Sequence, residues 1–193
     1  MVGKMFRNKR GMVGLEAAII LIAFVIIAGT FAFMVINQGL FATERGTPLC
    51  VDGSIFLNST GPSGINAIVI PLRAYGVKYV AMAKNQTTVT VKVGANAWSN
   101  IYEGVNATFT ESANFDMLVE NTTQNRARLF IKHTNGDYAL DSNEKGYLVI
   151  HLSTVAGPRT HVVVEIRPEK AAPLTVDFYV PESLQTGWIT VSG

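Results

Sequence analysis

A run of 20 uncharged residues, from Ala17 to Ile36, limits what this chain of 193 residues can fold into. Its one polar side chain is Thr30, so nearly every side chain in the run must be kept away from water. As a helix rising about 1.5 Å per residue, the run spans the roughly 30 Å hydrocarbon core of a bilayer. Apolar side chains occupy every face of that helix, so lipid or other protein must bury all of it. We predict a helix from about Val13 to Glu44, which Gly46 and Pro48 end.

Positive charge is concentrated at the start of the chain. Four basic residues give residues 1–11 a charge of +4, whereas the remaining 12 basic and 14 acidic residues leave the rest near −2. This asymmetry predicts that residues 1–11 stay in the cytoplasm and that the chain after residue 36 lies outside the cell. The nearly neutral body lacks the clustered positive surface of a nucleic-acid-binding protein. A single cysteine, Cys50, excludes an intrachain disulfide framework.

Three interpretations compete for residues 1–40. A secretory signal peptide has a hydrophobic core of about 7–15 residues followed by a small-residue cleavage site. This run is longer, and residues 37–40 offer no such site. A permanent single-span anchor fits the length and the charge bias. The residues favour a third interpretation, with cleavage before the apolar run, since Lys9-Arg10-Gly11 followed by Met12-Val13-Gly14-Leu15-Glu16 resembles the class III (type-IV-pilin-like) cleavage site.

That resemblance implies cleavage after Gly11, which makes Met12 the first residue of the mature chain and Glu16 the fifth. Lys9 and Arg10 are then the basic residues that precede the cut. An acid in the first helical turn is favoured by the helix macrodipole, by about 0.3–1 kcal/mol. The new α-amine at Met12 also shares a helix face with Glu16, four residues away. The alternative is an ordinary first-turn acid at the membrane interface.

Residues 51–193 carry the period-two alternation of β-strands that bury one face. The apolar positions of four such segments are Val89, Val91 and Val93; Leu148, Ile150 and Leu152; Val162, Val164 and Ile166; and Leu174, Val176, Phe178 and Val180. We predict further strands near 54–58, 65–72, 77–82 and 127–133, separated by turns at 61–64, 135–137 and 157–158. The predicted fold class is therefore α+β, with a long helix followed by an antiparallel, immunoglobulin-like β-sandwich. The polar segment 42–50 is the predicted hinge.

Four N-glycosylation sequons lie in the part of the chain that the charge bias places outside the cell. Their acceptor candidates are Asn58, Asn85, Asn106 and Asn121, and none of the four motifs contains proline. Chance supplies some matches to so short a motif. An extracellular location nevertheless makes modification of these asparagines chemically accessible.

Residues for catalysis are scarce. His151 and His161 fall at outward positions of predicted neighbouring strands, but no cysteine or acid has metal-site spacing with them. We interpret both as exposed strand histidines. No Ser, His and Asp set has a nucleophile context, and no phosphate-binding glycine loop occurs. The chain is therefore predicted not to be an enzyme and to need no cofactor for catalysis.

One segment, 135–144, crowds oxygen ligands together as Ca²⁺ prefers. It gives a candidate calcium site at Asp137, Asp141, Asn143 and Glu144. The spacing departs from the EF-hand loop, and a solvated turn is the alternative. A bound cation would stiffen a surface loop rather than catalyse a reaction.

Two parts of the chain resemble the archaellin (archaeal flagellin) family, the filament subunits of the archaeal swimming organelle. Residues 14–29 and 33–44 are similar to the archaellin N-terminal helix, and segments 144–152, 161–168 and 172–181 resemble the family's closing strands. The resemblance implies a cleaved class III leader at 1–11, a hydrophobic filament-core helix at 12–46 and a β-sandwich outer domain at 47–193. It also implies processing by a prepilin-type peptidase and assembly by the archaellum machinery.

We therefore expect a structural homopolymer. The precursor is inserted in the membrane with its sandwich outside the cell. After cleavage its helix passes from lipid into a bundle of identical helices. A heterologous contact that does not close then builds a helical, extracellular filament on the cell surface. The alternatives are an adhesive type-IV-like pilin with the same leader, and a single-span surface protein with a β ectodomain, such as a solute binder or hydrolase.

Overall fold

The computed structural model describes residues 9–43, 48–106 and 114–192. The chain divides into two compact units, Met1–Arg45 and Gly46–Gly193. The described part of the first unit is one helix, α1 (Lys9–Thr43), of 35 residues. This helix begins four residues before the predicted start, because the segment before the apolar run continues it without a break. Gly11 and Gly14 each cost about 1 kcal/mol relative to alanine in a helix interior, which the strong helix formers around them offset.

The described residues of the second unit form thirteen strands and one short helix. In chain order these are β1 (Leu49–Val51), β2 (Ile55–Ser59), β3 (Ile65–Ala74), β4 (Tyr79–Ala81), β5 (Thr87–Val93), β6 (Asn96–Trp98), β7 (Tyr102–Asn106), α2 (Phe115–Glu120), β8 (Arg126–Lys132), β9 (Ala139–Asp141), β10 (Lys145–Ala156), β11 (His161–Pro168), β12 (Leu174–Tyr179) and β13 (Gly187–Val191). All eight predicted strands are present, and β1, β6, β7, β9, β13 and α2 were not predicted.

The strands form two larger sheets and one small one. The seven-stranded sheet has the order β13-β2-β3-β10-β8-β7, with β1 also paired to β3. The four-stranded sheet has the order β12-β11-β5-β6, and β4 pairs with β9. The long central pair of the larger sheet is antiparallel, with Leu148 opposite Ile70 and Ile150 opposite Ile68. The sandwich is therefore built mainly from antiparallel neighbours.

One pair departs from the antiparallel expectation, because β7 runs parallel to β8. Parallel neighbours need a crossover of a dozen or more residues, and residues 107–125, which include α2, provide that length. Tyr102 anchors β7, since its hydroxyl donates to the Met82 carbonyl oxygen over 2.7 Å. Burial raises the pKa of the Tyr102 phenol far above its ordinary value, so this donor stays protonated.

The two larger sheets share one hydrophobic core. Ile68 and Ile150 from the seven-stranded sheet lie in one cluster with Val91 and Val164 from the four-stranded sheet, and all four are 0% exposed. Each such side chain contributes about 1.5–3 kcal/mol by leaving water. These are the alternate positions that the sequence pattern assigned to a buried face. The predicted class, an apolar helix followed by an antiparallel β-sandwich, is confirmed.

The short helix α2 covers part of the outer face of the seven-stranded sheet. Asn114 caps it, since the side-chain oxygen accepts the N–H of Met117 over 2.9 Å. Leu118 and Val119 point into a second, smaller apolar cluster. The sheet contributes Ala67, Val69, Phe130 and Val149 to that cluster. The seven-stranded sheet thus buries apolar side chains on both faces.

Candidate functional site

The helix α1 leaves its apolar surface unburied. From Glu16 to Phe33 the mean hydropathy is 2.4 and no residue is buried. Ten large apolar side chains of this segment are more than half exposed, and these are Ile19, Ile20, Leu21, Ile22, Phe24, Val25, Ile26, Ile27, Phe31 and Phe33. At about 1.5–3 kcal/mol per side chain, burying them yields roughly 15–30 kcal/mol. By length and composition, α1 is the one described helix able to cross a membrane.

The uncharged run from Ala17 to Ile36 needs no polar partner. Thr30, its one polar side chain, donates its hydroxyl to the carbonyl oxygen of Ile27 over 2.9 Å and so needs no outside partner. The positions of Gly14 and Gly29 also leave open space, since a Cβ built at either one meets no atom within 4 Å. Small residues at a helix surface let another helix approach closely. The surface of α1 therefore suits either lipid or another apolar helix.

The predicted cleavage residues all lie on α1. Lys9, Arg10, Gly11 and Met12 have helical backbone, so the bond after Gly11 lies inside a continuous helix. The first turn of α1 contains no acid. The prediction that Glu16 is a first-turn acid is therefore wrong for the uncut chain, because α1 begins at Lys9, seven residues before Glu16. A helix that starts at Val13, as the sequence predicts, would place Glu16 in its first turn.

Two of the four sequons have a hydroxyl that the fold already uses. Asn58 is half-buried within β2, which has strands on both sides, and the Thr60 hydroxyl donates to the carbonyl oxygen of Gly64 over 3.0 Å. Asn85 is exposed in a turn. Its partner Thr87 is 2% exposed, and the Thr87 hydroxyl donates to the carbonyl oxygen of Ala81 over 3.0 Å.

The other two sequons differ from these. Asn121 and Thr123 are both exposed, in the turn that follows α2. The Asn121 side-chain amide donates to the carbonyl oxygen of Met117 over 2.8 Å. Asn106 is half-buried at the end of β7, and the hydroxyl of its motif, on residue 108, lies outside the described residues.

In the acidic loop around Glu144, backbone N–H groups of the same loop donate hydrogen bonds to the Glu144 carboxylate. Glu144 is 3% exposed, and its carboxylate accepts the N–H of Asn135 over 2.9 Å and the N–H of Asp141 over 3.0 Å. The side chains of Asp137 and Asn143 are exposed. Within the described ranges, no group of three or more His, Cys, Asp or Glu residues is placed to hold a metal. The four candidates thus share one loop, and the calcium site stays a prediction without geometric support.

The two strand histidines lie in different sheets. β10 pairs with β3 and β8, whereas β11 pairs with β5 and β12, so the expectation of neighbouring strands is wrong. Residues 157–160 carry the chain from one sheet to the other instead of closing a hairpin. His151 Nδ1 lies 2.9 Å from the carbonyl oxygen of Thr122. His161 stacks on Tyr179 at 4.6 Å, with Nε2 3.5 Å from the Asp177 carboxylate.

The sequence patterns missed an aromatic cluster, formed by Phe56, Phe115, Tyr147 and Trp188, on the outer face of the seven-stranded sheet. The Phe115 ring lies 4.8 Å from Phe56, 5.8 Å from Tyr147 and 5.2 Å from Trp188. The indole N–H of Trp188 donates to Asp116 over 2.9 Å. Four separate elements supply the rings, so no local motif connects them. Aromatic residues at outward strand positions were the available signal.

Comparison with known proteins identifies the family of this chain. The model of the archaeal-type flagellin family matches residues 11–178. Probable flagellin 1 of Aeropyrum pernix is 38% identical over 200 residues, which cover 94% of this chain and 97% of that protein. The chain belongs to the archaeal-type flagellin family. Probable flagellin 1 of Archaeoglobus fulgidus is a more distant relative of this flagellin, 25% identical over 202 residues that cover 95% of this chain and 96% of that protein.

A solved structure supports the fold of this flagellin. The crystal structure of archaeal flagellin FlaB1 from Methanocaldococcus jannaschii matches with a TM-score of 0.62 at 14% identity, covering 75% of this chain and 96% of that chain. At such low identity the match shows the fold alone. The family membership carries the function, because archaeal-type flagellins are structural subunits of the archaellum filament. The predicted family and the predicted role as a filament subunit are confirmed.

Proposed function

We propose that this flagellin is cleaved after Gly11 and then polymerises through α1 into the extracellular swimming filament. The observation that carries the proposal is the exposure of every residue from Glu16 to Phe33. The sandwich completes a core of its own, whereas the apolar surface of α1 is left for other molecules to cover. Each added copy brings the same apolar helix surface, so copies can be added one after another to form a filament.

The leader sets the order of events. Residues 1–11 carry a charge of +4, and moving uncompensated charge into an apolar bundle costs several kcal/mol per ion. Cleavage by a prepilin-type peptidase therefore precedes assembly, while the precursor is held in the membrane by α1. The family match begins at Gly11, which supports a boundary there. The parts of the protein are then a leader at 1–11, a filament helix at 12–46 and an outer domain at 47–193.

The assembled state follows from symmetry. Copies joined by a heterologous contact that does not close form an open helical filament. In this proposal the subunit is not an enzyme and binds no nucleic acid. Its partners are copies of itself, the peptidase, the assembly machinery and, transiently, the membrane. The rotation of the filament is the task of other proteins.

A pair of glycine variants tests the leader. Gly11→Val should leave the leader attached and reduce the yield of sheared filaments to background. Gly3→Val makes the same change eight residues earlier, in a part that cleavage discards, and should assemble normally. Amino-terminal sequencing of wild-type filaments should start at Met12. Filaments that form normally from Gly11→Val, or that begin at Met1, would contradict the proposal.

The two alternatives lead to other results in the same cells. A permanent single-span protein keeps Met1 and remains in the membrane fraction. An adhesive pilin loses surface attachment on deletion while swimming persists. We expect the deletion strain to lose swimming, measured by tracking cells in liquid.

A further inference from the structure

We propose that the fold selects Asn121 as a site of N-linked glycosylation and protects Asn58 and Asn85 from it. The inference rests on the extracellular location in the proposed function. It concerns the folded outer domain and not the assembly helix. Three of the sequons have a structurally described hydroxyl, and these three are placed very differently.

The sequon defines which two groups of the protein the modifying enzyme must contact. It requires an asparagine amide and, two residues later, a Ser or Thr hydroxyl. An enzyme that reads this hydroxyl has to contact it, so a hydroxyl that is buried and already donating cannot be read without local unfolding. Exposure of both groups in one segment is therefore the structural condition for modification of a folded domain.

The Asn121 sequon meets that condition. Asn121 and Thr123 are both exposed, in a turn outside any strand. Thr122 between them is buried, and its hydroxyl donates to the carbonyl oxygen of Leu118 over 2.8 Å. That contact holds the segment against α2, so the residues on either side of Thr122 are left at the surface. The turn therefore presents the acceptor amide and the recognition hydroxyl together.

The bond that Asn121 already makes is compatible with a sugar. Its side-chain nitrogen donates to the carbonyl oxygen of Met117 over 2.8 Å, which uses one of the two amide hydrogens. An N-glycosidic bond replaces one hydrogen and leaves the other. The same carbonyl also accepts the backbone N–H of Asn121 over 3.1 Å, so the C-terminus of α2 stays capped after modification.

The chemistry balances with an activated sugar as co-reactant. The Asn121 nitrogen attacks the anomeric carbon of a glycan linked to a lipid phosphate, and a carbon–nitrogen bond forms. The bond from the anomeric carbon to the phosphate oxygen breaks, and the lipid phosphate leaves as an anion. The displaced amide proton passes to a base of the transferase. No electrons are exchanged, and the flagellin contributes only the acceptor.

The other two described sequons fail on different groups. Asn85 is exposed, but the Thr87 hydroxyl is buried and hydrogen-bonded to Ala81. Asn58 is half-buried in the interior of the seven-stranded sheet, opposite Trp188 on one side and Ala67 on the other. A glycan there would have to leave from the middle of a paired strand.

Peptide mass spectrometry of filaments from producing cells measures the outcome. Trypsin separates Asn58 (peptide 46–73) from Asn85 (peptide 85–92), and cleavage after glutamate separates Asn106 from Asn121. We expect sugar mass increments at Asn121 to exceed those at Asn58 and Asn85 by at least about tenfold, because freeing a buried hydroxyl costs about one hydrogen bond or more. If no filaments form, the precursor in the membrane fraction gives the same readout.

A matched pair of variants separates the sequon from the cap. Thr123→Ala removes the recognition hydroxyl, keeps Asn121 with its bond to Met117, and should abolish the sugar at Asn121. Thr123→Ser retains a hydroxyl and should keep it. Wild-type filaments without sugar at Asn121 would overturn this inference and leave the filament function intact. Equal modification of Asn85 and Asn121 would also overturn it, since it would show modification before folding.

Discussion

α1 and the β-sandwich contain the same kinds of apolar side chain and bury them to opposite extents. Ile20 and Phe24 on α1 are 69% and 73% exposed, whereas Ile68 and Ile150 in the sandwich are 0% exposed. The difference comes from how polar residues are distributed. Strands that alternate apolar and polar residues can bury one face and hydrate the other, whereas a helix that is apolar all round has no face for water.

This contrast separates stability from assembly. The sandwich obtains its folding energy within one chain, so changes in its core should alter unfolding and leave the helix surface as it was. The helix obtains its burial from lipid or from other copies, so changes on α1 should alter filament yield and leave unfolding of the sandwich as it was.

The largest effect is expected on α1. Phe24→Asp should reduce filament yield to background, because an uncompensated charge in an apolar bundle costs several kcal/mol. The thermal unfolding of the sandwich, followed in the full chain in detergent, should not change. Pelleting and electron microscopy measure the filaments. Phe24→Leu keeps the position apolar and should assemble. Normal filaments from the aspartate variant would show that this surface stays open to water in the assembly.

A core change in the sandwich should have the reverse pattern. Ile150→Ala should lower the free energy of unfolding by about 2–5 kcal/mol, because it removes buried methyl groups and leaves a cavity. Val155→Ala, on the same strand at 42% exposure, should change it by less than about 0.5 kcal/mol. Urea unfolding of the full chain in detergent measures both. A similar loss from the two variants would mean that β10 is not buried as described.

Long alternating strands could be predicted from the sequence, whereas of the four described strands of three residues only β4, inside the predicted segment 77–82, was found. β5, β10, β11 and β12 alternate over at least six residues, so the period is visible. β1, β6 and β9 have three residues each, too few to show a period. β7 is interrupted by Gly104, whose φ is +102°. α2 has six residues, fewer than two helical turns, so no apolar stripe distinguishes it from a loop.

The positions of the candidate sites in the chain could be predicted from the sequence, but the residues that surround each site in the fold could not. The apolar helix and the four sequons are local motifs, and the sequence alone locates them. Which sequon hydroxyls are free depends on neighbours far away in the chain, as does the sheet that each histidine joins. A turn at 157–160 can close a hairpin or cross between sheets, and the local residues do not distinguish the two. The start of α1 at Lys9 was missed because basic residues are as compatible with a helix as with an extended leader.

Two glycines of the sandwich give a contrast within one region. Gly64 has φ +130°, and a Cβ there would lie 2.1 Å from the carbonyl oxygen of Ala156. Gly64→Ala should therefore cost roughly 2–4 kcal/mol from backbone strain and displacement of β10. Gly76 has φ +73° with open space around it, so Gly76→Ala should cost only about 1–2 kcal/mol. Equal costs in urea unfolding would show that β10 can move away from residue 64 without loss.

The smallest effects should come from two ion pairs that differ in burial. Arg128 and Glu103 join β8 to β7 at 2.7 Å, with side-chain exposures of 31% and 19%, whereas Arg159 and Glu182 are both 72% exposed. Glu103→Gln should cost about 1 kcal/mol, since the pair is partly desolvated and the arginine loses a charged partner. Glu182→Gln should cost less than about 0.5 kcal/mol, because water and salt screen an exposed pair. Raising the salt concentration should reduce the second cost to zero and leave most of the first. The stronger pair connects the parallel strands, so a loss at Glu103 as small as that at Glu182 would mean that the crossover through α2, rather than this contact, holds β7 on the sheet.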